Sequence, residues 1–152
     1  MPRVLIVAFG NPLRSDDGLA WRAAEELTNL GLPADIEIIT RHQLTPELAL
    51  EASQAETVLF VDAAQSGVPG DIAQSPVKAE SLTAAFSHEC SPAAMLGIAQ
   101  EIYGSSPQAF TISLCGECFD HGETLSTKVE ENLPRLVALI RDLVTVAPVS
   151  KP

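Results

Sequence analysis

Basic residues are scarce in this sequence, which has 9 Lys and Arg against 20 Asp and Glu and a formal net charge of −11 at pH 7. A surface of this sign repels the phosphates of nucleic acids and of anionic lipids, so we expect neither a nucleic acid nor a membrane as a partner. Cations and basic protein segments are favoured instead. Many of the carboxylates need do no more than keep the protein soluble.

Cysteines and long apolar runs are also lacking. An odd number of cysteines, three in 152 residues, favours free thiols in a reducing compartment, so we expect a cytoplasmic protein. No apolar run approaches the roughly 18 residues of a membrane span. The first run, interrupted by Gly-Asn-Pro at 10–12, predicts a strand rather than a signal peptide. We expect one domain over residues 1–152, with a frayed tail from about 147.

Short apolar runs alternate with amphipathic stretches along the whole chain. Runs rich in β-branched residues begin near 4, 36, 57 and 110 and predict strands that are largely buried. Apolar residues at helical spacing predict helices that begin near 19, 45, 92 and 129. This alternation predicts an α/β fold, a three-layer α/β/α sandwich with a mostly parallel central sheet.

Local signals predict how several of these elements begin and end. Thr45 and Ser91, each followed by proline, predict the N-caps of the second and third helices. Residues 67–79 contain two glycines and two prolines, which predict a short hairpin before a mobile loop. Pro134 lies inside the last helical stripe and predicts a kink or a new helix start.

Acidic residues follow two of the predicted strands. Asp16 and Asp17 lie in the loop at 10–18, and Asp62 follows the third strand. Parallel strands present a ligand crevice at their carboxyl ends. With His88, Asp17 and Asp62 would supply two oxygen ligands and one imidazole, a set that suits a divalent cation with open coordination positions. Simpler interpretations stay open: the acid pair caps the first helix, Asp62 caps a turn, and His88 is a solvated loop residue.

The cysteines suggest other chemistry, for which the sequence is less specific. Cys115 and Cys118 have the spacing of a redox or zinc pair, with His121 close behind. A zinc site normally needs four ligands, and a thioredoxin-type pair opens a helix, so we expect incidental thiols. Cys90 lies two residues after His88, which suggests a cysteine-histidine nucleophile, but residues so close in one loop rarely face each other productively.

Several motifs together resemble the nickel-iron hydrogenase maturation endopeptidases. The resemblance spans about residues 4–144. It rests on the first apolar run ending in Gly10-Asn11, Asp-Asp-Gly at 16–18, Val-Asp-Ala at 61–63, Ser87-His88 with Pro92, Leu96 and Ala99, and Gly-Glu-Thr-Leu-Ser at 122–126. It implies an α/β/α enzyme that removes a C-terminal extension from a hydrogenase large-subunit precursor after nickel insertion.

The resemblance also implies a site. The metal-binding positions of that family match Asp17, Asp62 and His88, which we expect to be both the metal ligands and the catalytic residues. Other members carry the histidine after the Ser-Pro of the helix start, where this chain has Ala93 and Ala94. Nickel would arrive bound to cysteines of the precursor, which is the expected partner, and no organic cofactor is implied. Whether the metal polarises the scissile carbonyl, activates a water or only anchors the substrate stays open. Asp16 would either orient the site or cap the first helix, and we favour the cap.

Two other functions are compatible with the same acids. A receiver-like phosphoacceptor domain also has an acid pair after its first strand and an Asp after its third, but it needs a lysine after a late strand, and residues 115–127 contain none. A non-catalytic partner would bind the hydrogenase precursor without shortening it. Nucleotide binding is disfavoured, because the loop at 10–18 lacks a glycine-rich phosphate motif and its carboxylates repel phosphate.

Overall fold

The structure, a computed structural model, describes residues 2–85 and 89–145. Strands and helices alternate along most of this length. The strands are β1 (Val4–Phe9), β2 (Ile36–Arg41), β3 (Thr57–Ala64), β4 (Ile72–Pro76) and β5 (Gln108–Cys115). The helices are α1 (Leu19–Asn29), α2 (Leu48–Ser53), α3 (Leu82–Ala85), α4 (Pro92–Tyr103) and α5 (Thr127–Thr145), and a 3-10 turn at Ser15–Gly18 precedes α1.

The described strands form one sheet in the order β2-β1-β3-β5-β4. All neighbouring pairs are parallel except β4 with β5, so the mostly parallel sheet expected from the sequence is confirmed. The prediction of a hairpin within residues 67–79 is wrong. That segment supplies the single strand β4, whose partner β5 comes later in the chain.

Two hydrophobic cores lie on opposite faces of the sheet. One core packs α1 and α5 against the sheet, and the other packs α2 and α4 against the opposite face. Ile6 of β1 belongs to the first core, and Leu5 and Val7 belong to the second. Because successive residues of a strand point to opposite faces, this double burial explains why the β1 run is continuously apolar. The three-layer α/β/α arrangement is confirmed.

The predicted helix starts have different outcomes. Ser91 caps α4 as expected, with its side chain accepting a hydrogen bond from Ala94 N at 3.0 Å. Thr45 does not cap α2, which begins at Leu48. The Thr45 carbonyl instead accepts a hydrogen bond from Leu48 N at 3.1 Å, so a turn precedes the helix. Pro134 does not start a new helix, because α5 is continuous through it.

Other expectations remain predictions. The frayed tail from about 147 lies outside the described residues, and the single-domain organisation is untested. Across residues 2–85 and 89–145, none of the helices has both the length and the apolarity to cross a bilayer.

Candidate active site

Asp17 lies in a turn that folds back on the end of β1. Its Oδ2 accepts a hydrogen bond from Asn11 N at 2.7 Å, and its own N donates to Arg14 O at 3.1 Å. Gly10 has φ +147°, and a Cβ on Gly10 would collide with the Asp17 carbonyl oxygen. Glycine at position 10 therefore permits the close approach that places Asp17 at the carboxyl edge of the sheet.

Neither acid of the pair caps α1, so that interpretation of the sequence is wrong. The N-cap residue is Gly18, and no side chain makes a capping hydrogen bond there. The physical reason is competition for the carboxylates. Asp17 binds Asn11 N at the start of the same loop, and Asp16 binds a different segment of the chain.

Asp62 lies near the carboxyl end of β3, directly opposite Ser113 of β5. Ser113 Oγ donates a hydrogen bond to Asp62 Oδ1 at 2.7 Å. Burial, together with the nearby negative charge of Asp17, raises the pKa of Asp62 to about 6, although the Ser113 hydrogen bond acts in the opposite direction. Two of the three expected ligands are therefore close enough to repel each other.

Asp16 is completely buried and binds the loop that follows β5. Its Oδ2 accepts hydrogen bonds from Glu117 N at 2.7 Å, Cys118 N at 2.9 Å and Ser126 Oγ at 2.7 Å. Its Oδ1 accepts one from Ser126 N at 2.7 Å. Burial on its own would raise the pKa of Asp16, but these hydrogen bonds outweigh it and hold the pKa below its usual value. Asp16 is thus an ionised, saturated structural carboxylate.

We call residues 116–126 the clasp loop. Beyond the contacts of Asp16, Ser15 N donates to Gly122 O at 2.8 Å. A Cβ on Gly116 would clash with the Asp16 side chain, so glycine is needed where the loop meets the buried acid. The predicted helix cap at Asp16 is thus replaced by hydrogen bonds to the clasp loop. The signal for these hydrogen bonds was Gly-Glu-Thr-Leu-Ser at 122–126, which ends in the serine that binds the carboxylate.

His88 lies outside the described residues, so the structure places only two members of the expected set. Among residues 2–85 and 89–145, no group of three or more His, Cys, Asp or Glu side chains is arranged to hold a metal ion. The pairing of Asp17 with Asp62 is therefore the part of the predicted site that the structure brings together. The assignment of all three residues as ligands stays a prediction.

The three cysteines are free thiols. Cys115 is buried, and burial, assisted by the negative charge of Asp71, raises its pKa. Burial and then the charge of Glu80 likewise raise the pKa of Cys90. Reactive thiols need the opposite shift, because the thiolate is the nucleophile and the metal ligand. This supports the interpretation of Cys115 as an incidental thiol, and it argues against Cys90 as a nucleophile.

A groove of about 590 Å³ runs along one side of α1, from Gly18 to Thr28. It contains neither Asp17 nor Asp62, but it includes their neighbours Ser15 and Gly18. Trp21 forms part of its wall, and its Nε1 donates to Gly10 O at 2.9 Å, which ties the wall to the end of β1. The remaining lining residues come from the loop after β1, α1, β2 and the clasp loop: Pro12, Leu13, Arg22, Ala24, Glu25, Thr28, Ile38, Thr40, Glu123 and Leu125.

Solved structures of hydrogenase maturation proteases have the same fold. The [NiFe] hydrogenase maturation protease HycI from Thermococcus kodakarensis KOD1 matches with a TM-score of 0.74 at 24% identity, over 95% of this chain and 93% of that one. The hydrogenase maturating endopeptidase HybD from E. coli gives a TM-score of 0.72 at 22% identity, over 93% and 91%. A hydrogenase 2 maturation peptidase from a Thaumarchaeota archaeon gives 0.72 at 24% identity, over 95% and 99%.

Neither a protein-family model nor a curated protein sequence matches the chain. At these identities the structural matches establish the fold, and at that level they confirm the resemblance found in the motifs. The chemistry has to be argued from the residues that the fold brings together.

Proposed function

We propose that this protein is an endopeptidase that removes the C-terminal extension of a nickel-loaded [NiFe]-hydrogenase large-subunit precursor. Asp17, Asp62 and His88 would recognise the nickel. The proposal is supported by the position of Asp17 and Asp62 at the same edge of the sheet, near enough for the charge of Asp17 to raise the pKa of Asp62, in a fold shared with solved hydrogenase maturation proteases.

The electrostatics of this pair favour a cation between the two carboxylates. Asp17 and Asp62 repel each other, and Asp62 is also penalised by burial. A divalent cation reverses both effects, because its charge stabilises the ionised form of each neighbouring carboxylate. Nickel accepts imidazole and carboxylate ligands, which are the groups that His88 and the two aspartates offer.

The hydrogen bonds of the two aspartates leave each of them a ligand atom. Asn11 N binds Oδ2 of Asp17, and Ser113 Oγ binds Oδ1 of Asp62. Within the described part of the chain, the second oxygen of each carboxylate has no hydrogen-bond donor. One oxygen of each carboxylate is thus held by a hydrogen bond that fixes the orientation of the group, and the other oxygen can face a metal. Hydrogen-bond partners commonly orient metal-ligating side chains in this way.

Nickel belongs to the substrate in this proposal, and the precursor's cysteines would hold it. Asp17, Asp62 and His88 would complete its coordination and so bring the scissile peptide against the sheet edge. A precursor without nickel would lack this anchor, so cleavage would depend on metal loading. The protease would thereby act only on precursors in which nickel insertion is complete.

The test is the mass of the precursor before and after incubation with the protein. We expect wild type to shorten the nickel-loaded precursor but not the nickel-free one, and Asp17→Ala, Asp62→Ala and His88→Ala to abolish shortening. Glu101→Ala removes an exposed acid near the end of α4 and is the control that should remain active. Full activity in all three site variants would refute the proposal.

Precursor mass and phosphodonor labelling together separate the alternative functions. A non-catalytic partner would bind the precursor and leave its mass unchanged. A receiver-like domain would be labelled by a small phosphodonor. The structure weakens that alternative, because Asp16, one of the acids needed for magnesium, is buried and its carboxylate is occupied by four hydrogen bonds.

A further inference from the structure

The contacts of Asp16 suggest a role that reaches beyond its own burial. We infer that Asp16 is a positioning residue: it fastens the clasp loop to the turn at Ser15–Gly18 and so holds Asp17 beside Asp62. The kinetic part of this inference rests on the proposed endopeptidase function, whereas the positioning itself does not.

One carboxylate joins both ends of the clasp loop. Glu117 N and Cys118 N come from its beginning, and the two Ser126 donors come from its end, directly before α5. Asp16 N completes the contact by donating to Cys118 O at 2.9 Å. Without Asp16, the three backbone N–H groups would lose their acceptor, and an unsatisfied buried donor is costly.

The clasp loop in turn fixes the conformation of the residues just before Asp17. Ser15 has φ +51°, which is an unfavourable conformation for a residue other than glycine. It is held there by Gly122 O, which accepts from Ser15 N, and by Asp120 O, which accepts from Ser15 Oγ at 2.8 Å. If the clasp loop were released, Ser15 would be free to leave this conformation, and the turn that follows would relax.

Asp17 depends on that turn for its direction. Its N donates to Arg14 O within the turn, and its carboxylate reaches back to Asn11 N. Relaxation at Ser15 would therefore break the hydrogen bond to Asn11 N and move the Asp17 carboxylate relative to Asp62. The amide of Asn11 is a reporter of this position that does not depend on catalysis.

Two variants separate positioning from a loss of charge. Asp16→Asn keeps the size of the side chain but replaces one carboxylate oxygen by an NH2 group. This group cannot accept hydrogen bonds from the backbone N–H groups that bind Asp16. Ser126→Ala removes a single donor and keeps the charge of Asp16. Glu117→Gln is the matched control, since it removes one negative charge from an exposed side chain of the same loop.

The experiment combines amide hydrogen exchange followed by NMR with steady-state processing of nickel-loaded precursor. We expect the Asn11 amide to exchange about tenfold faster in Asp16→Asn and about threefold faster in Ser126→Ala, with the amides of β1 and β3 unchanged. In both variants kcat should fall while KM stays near the wild-type value, because the binding surface is intact and only the position of the Asp17 carboxylate changes. Glu117→Gln should match wild type.

Unchanged Asn11 exchange in a folded Asp16→Asn protein would overturn the inference, and if that variant does not fold, unchanged exchange in Ser126→Ala would do so. Faster exchange with an unchanged kcat would overturn its kinetic part. If wild type fails to shorten the precursor, the proposed function fails, and the exchange of Asn11 still decides whether Asp16 positions Asp17.

Discussion

At the scale of single residues, two aspartates near the same sheet edge have opposite pKa shifts. Burial acts in the same direction on both and favours the protonated form. Asp16 receives four hydrogen bonds and stays ionised, whereas Asp62 receives one from Ser113 and also faces the charge of Asp17. The number of donors around each carboxylate therefore decides which one stays ionised as a structural group and which one has a raised pKa.

The raised pKa of Asp62 predicts a stability cost at neutral pH. Asp62 titrates at about 6 in the folded state and at 3.8 in the unfolded chain, so the folded state binds more protons between these values. Stability therefore falls as pH rises from about 4 to 6, and the cost is constant above about 6. We expect Asp62→Asn to raise the free energy of unfolding at pH 7 by on the order of 2 kcal/mol.

Urea denaturation at pH 7 and pH 4 measures this effect. The gain of Asp62→Asn should be much smaller near pH 4, where Asp62 is almost fully protonated in the folded state and is close to half protonated in the unfolded chain. Glu37→Gln, which neutralises an exposed acid on β2, should show little gain at either pH. A destabilised Asp62→Asn protein at pH 7 would contradict the prediction. Under the proposed function this variant is more stable and yet inactive, a trade-off common at functional sites.

At the scale of elements, two sequence signals that look alike differ in structure. Thr45 and Ser91 each precede a proline, yet only Ser91 has the extended backbone and the side-chain hydrogen bond of an N-cap. The residue at the N-cap position of α2 is Glu47, which already has helical dihedral angles. Pattern alone could not separate the two positions, because the geometry of the chain that leads into a helix decides whether a cap forms.

This difference predicts unequal costs for matched substitutions. Ser91→Ala should lower the free energy of unfolding by about 1 kcal/mol, because Ala94 N loses its partner. Thr45→Ala should change it by less than about 0.5 kcal/mol, because the hydrogen bond at that position comes from the backbone carbonyl. Thermal or urea unfolding of the two variants beside wild type provides the comparison. Equal losses would show that the assigned cap at Ser91 contributes nothing specific.

At the scale of the whole molecule, the net charge of −11 opposes compaction. The described ion pairs lie on the surface, and the one between Arg3 and Asp35, at 2.9 Å, has both side chains partly accessible to solvent. Such pairs contribute little. Self-repulsion among the remaining carboxylates is therefore expected to lower the stability of the fold.

Salt should consequently stabilise the protein. Raising NaCl from about 0.02 to 0.3 M shortens the screening length several-fold, and we expect the midpoint of thermal unfolding to rise by a few degrees. An uncharged osmolyte at equal osmolality is the control for effects that are not electrostatic. A midpoint that falls with added NaCl would show that attractive ion pairs outweigh the repulsion.

Much of this molecule could be predicted from its sequence, and the limits have physical causes. The parallel sheet and its helices followed from periodicity, because double burial requires continuous apolar strands such as β1. The placement of Asp17 and Asp62 near the same sheet edge followed from the rule for strand ends. The pairing of β4 with β5 and the binding of Asp16 by the clasp loop were not predicted, because each joins segments that are far apart in the chain and carry no shared pattern.

The clasp also has a consequence for the order in which the molecule forms. The Asp16 carboxylate and its Ser126 partners are 110 residues apart, so closing this contact fixes most of the chain at once. Contacts of such long range form late, because the entropy of closing the intervening loop must be overcome first. A growing chain released before residue 126 would already hold β1, β3 and their acids but could not shape the turn that carries Asp17. The chain must therefore be made at least as far as Ser126 before the turn that carries Asp17 can be held in place.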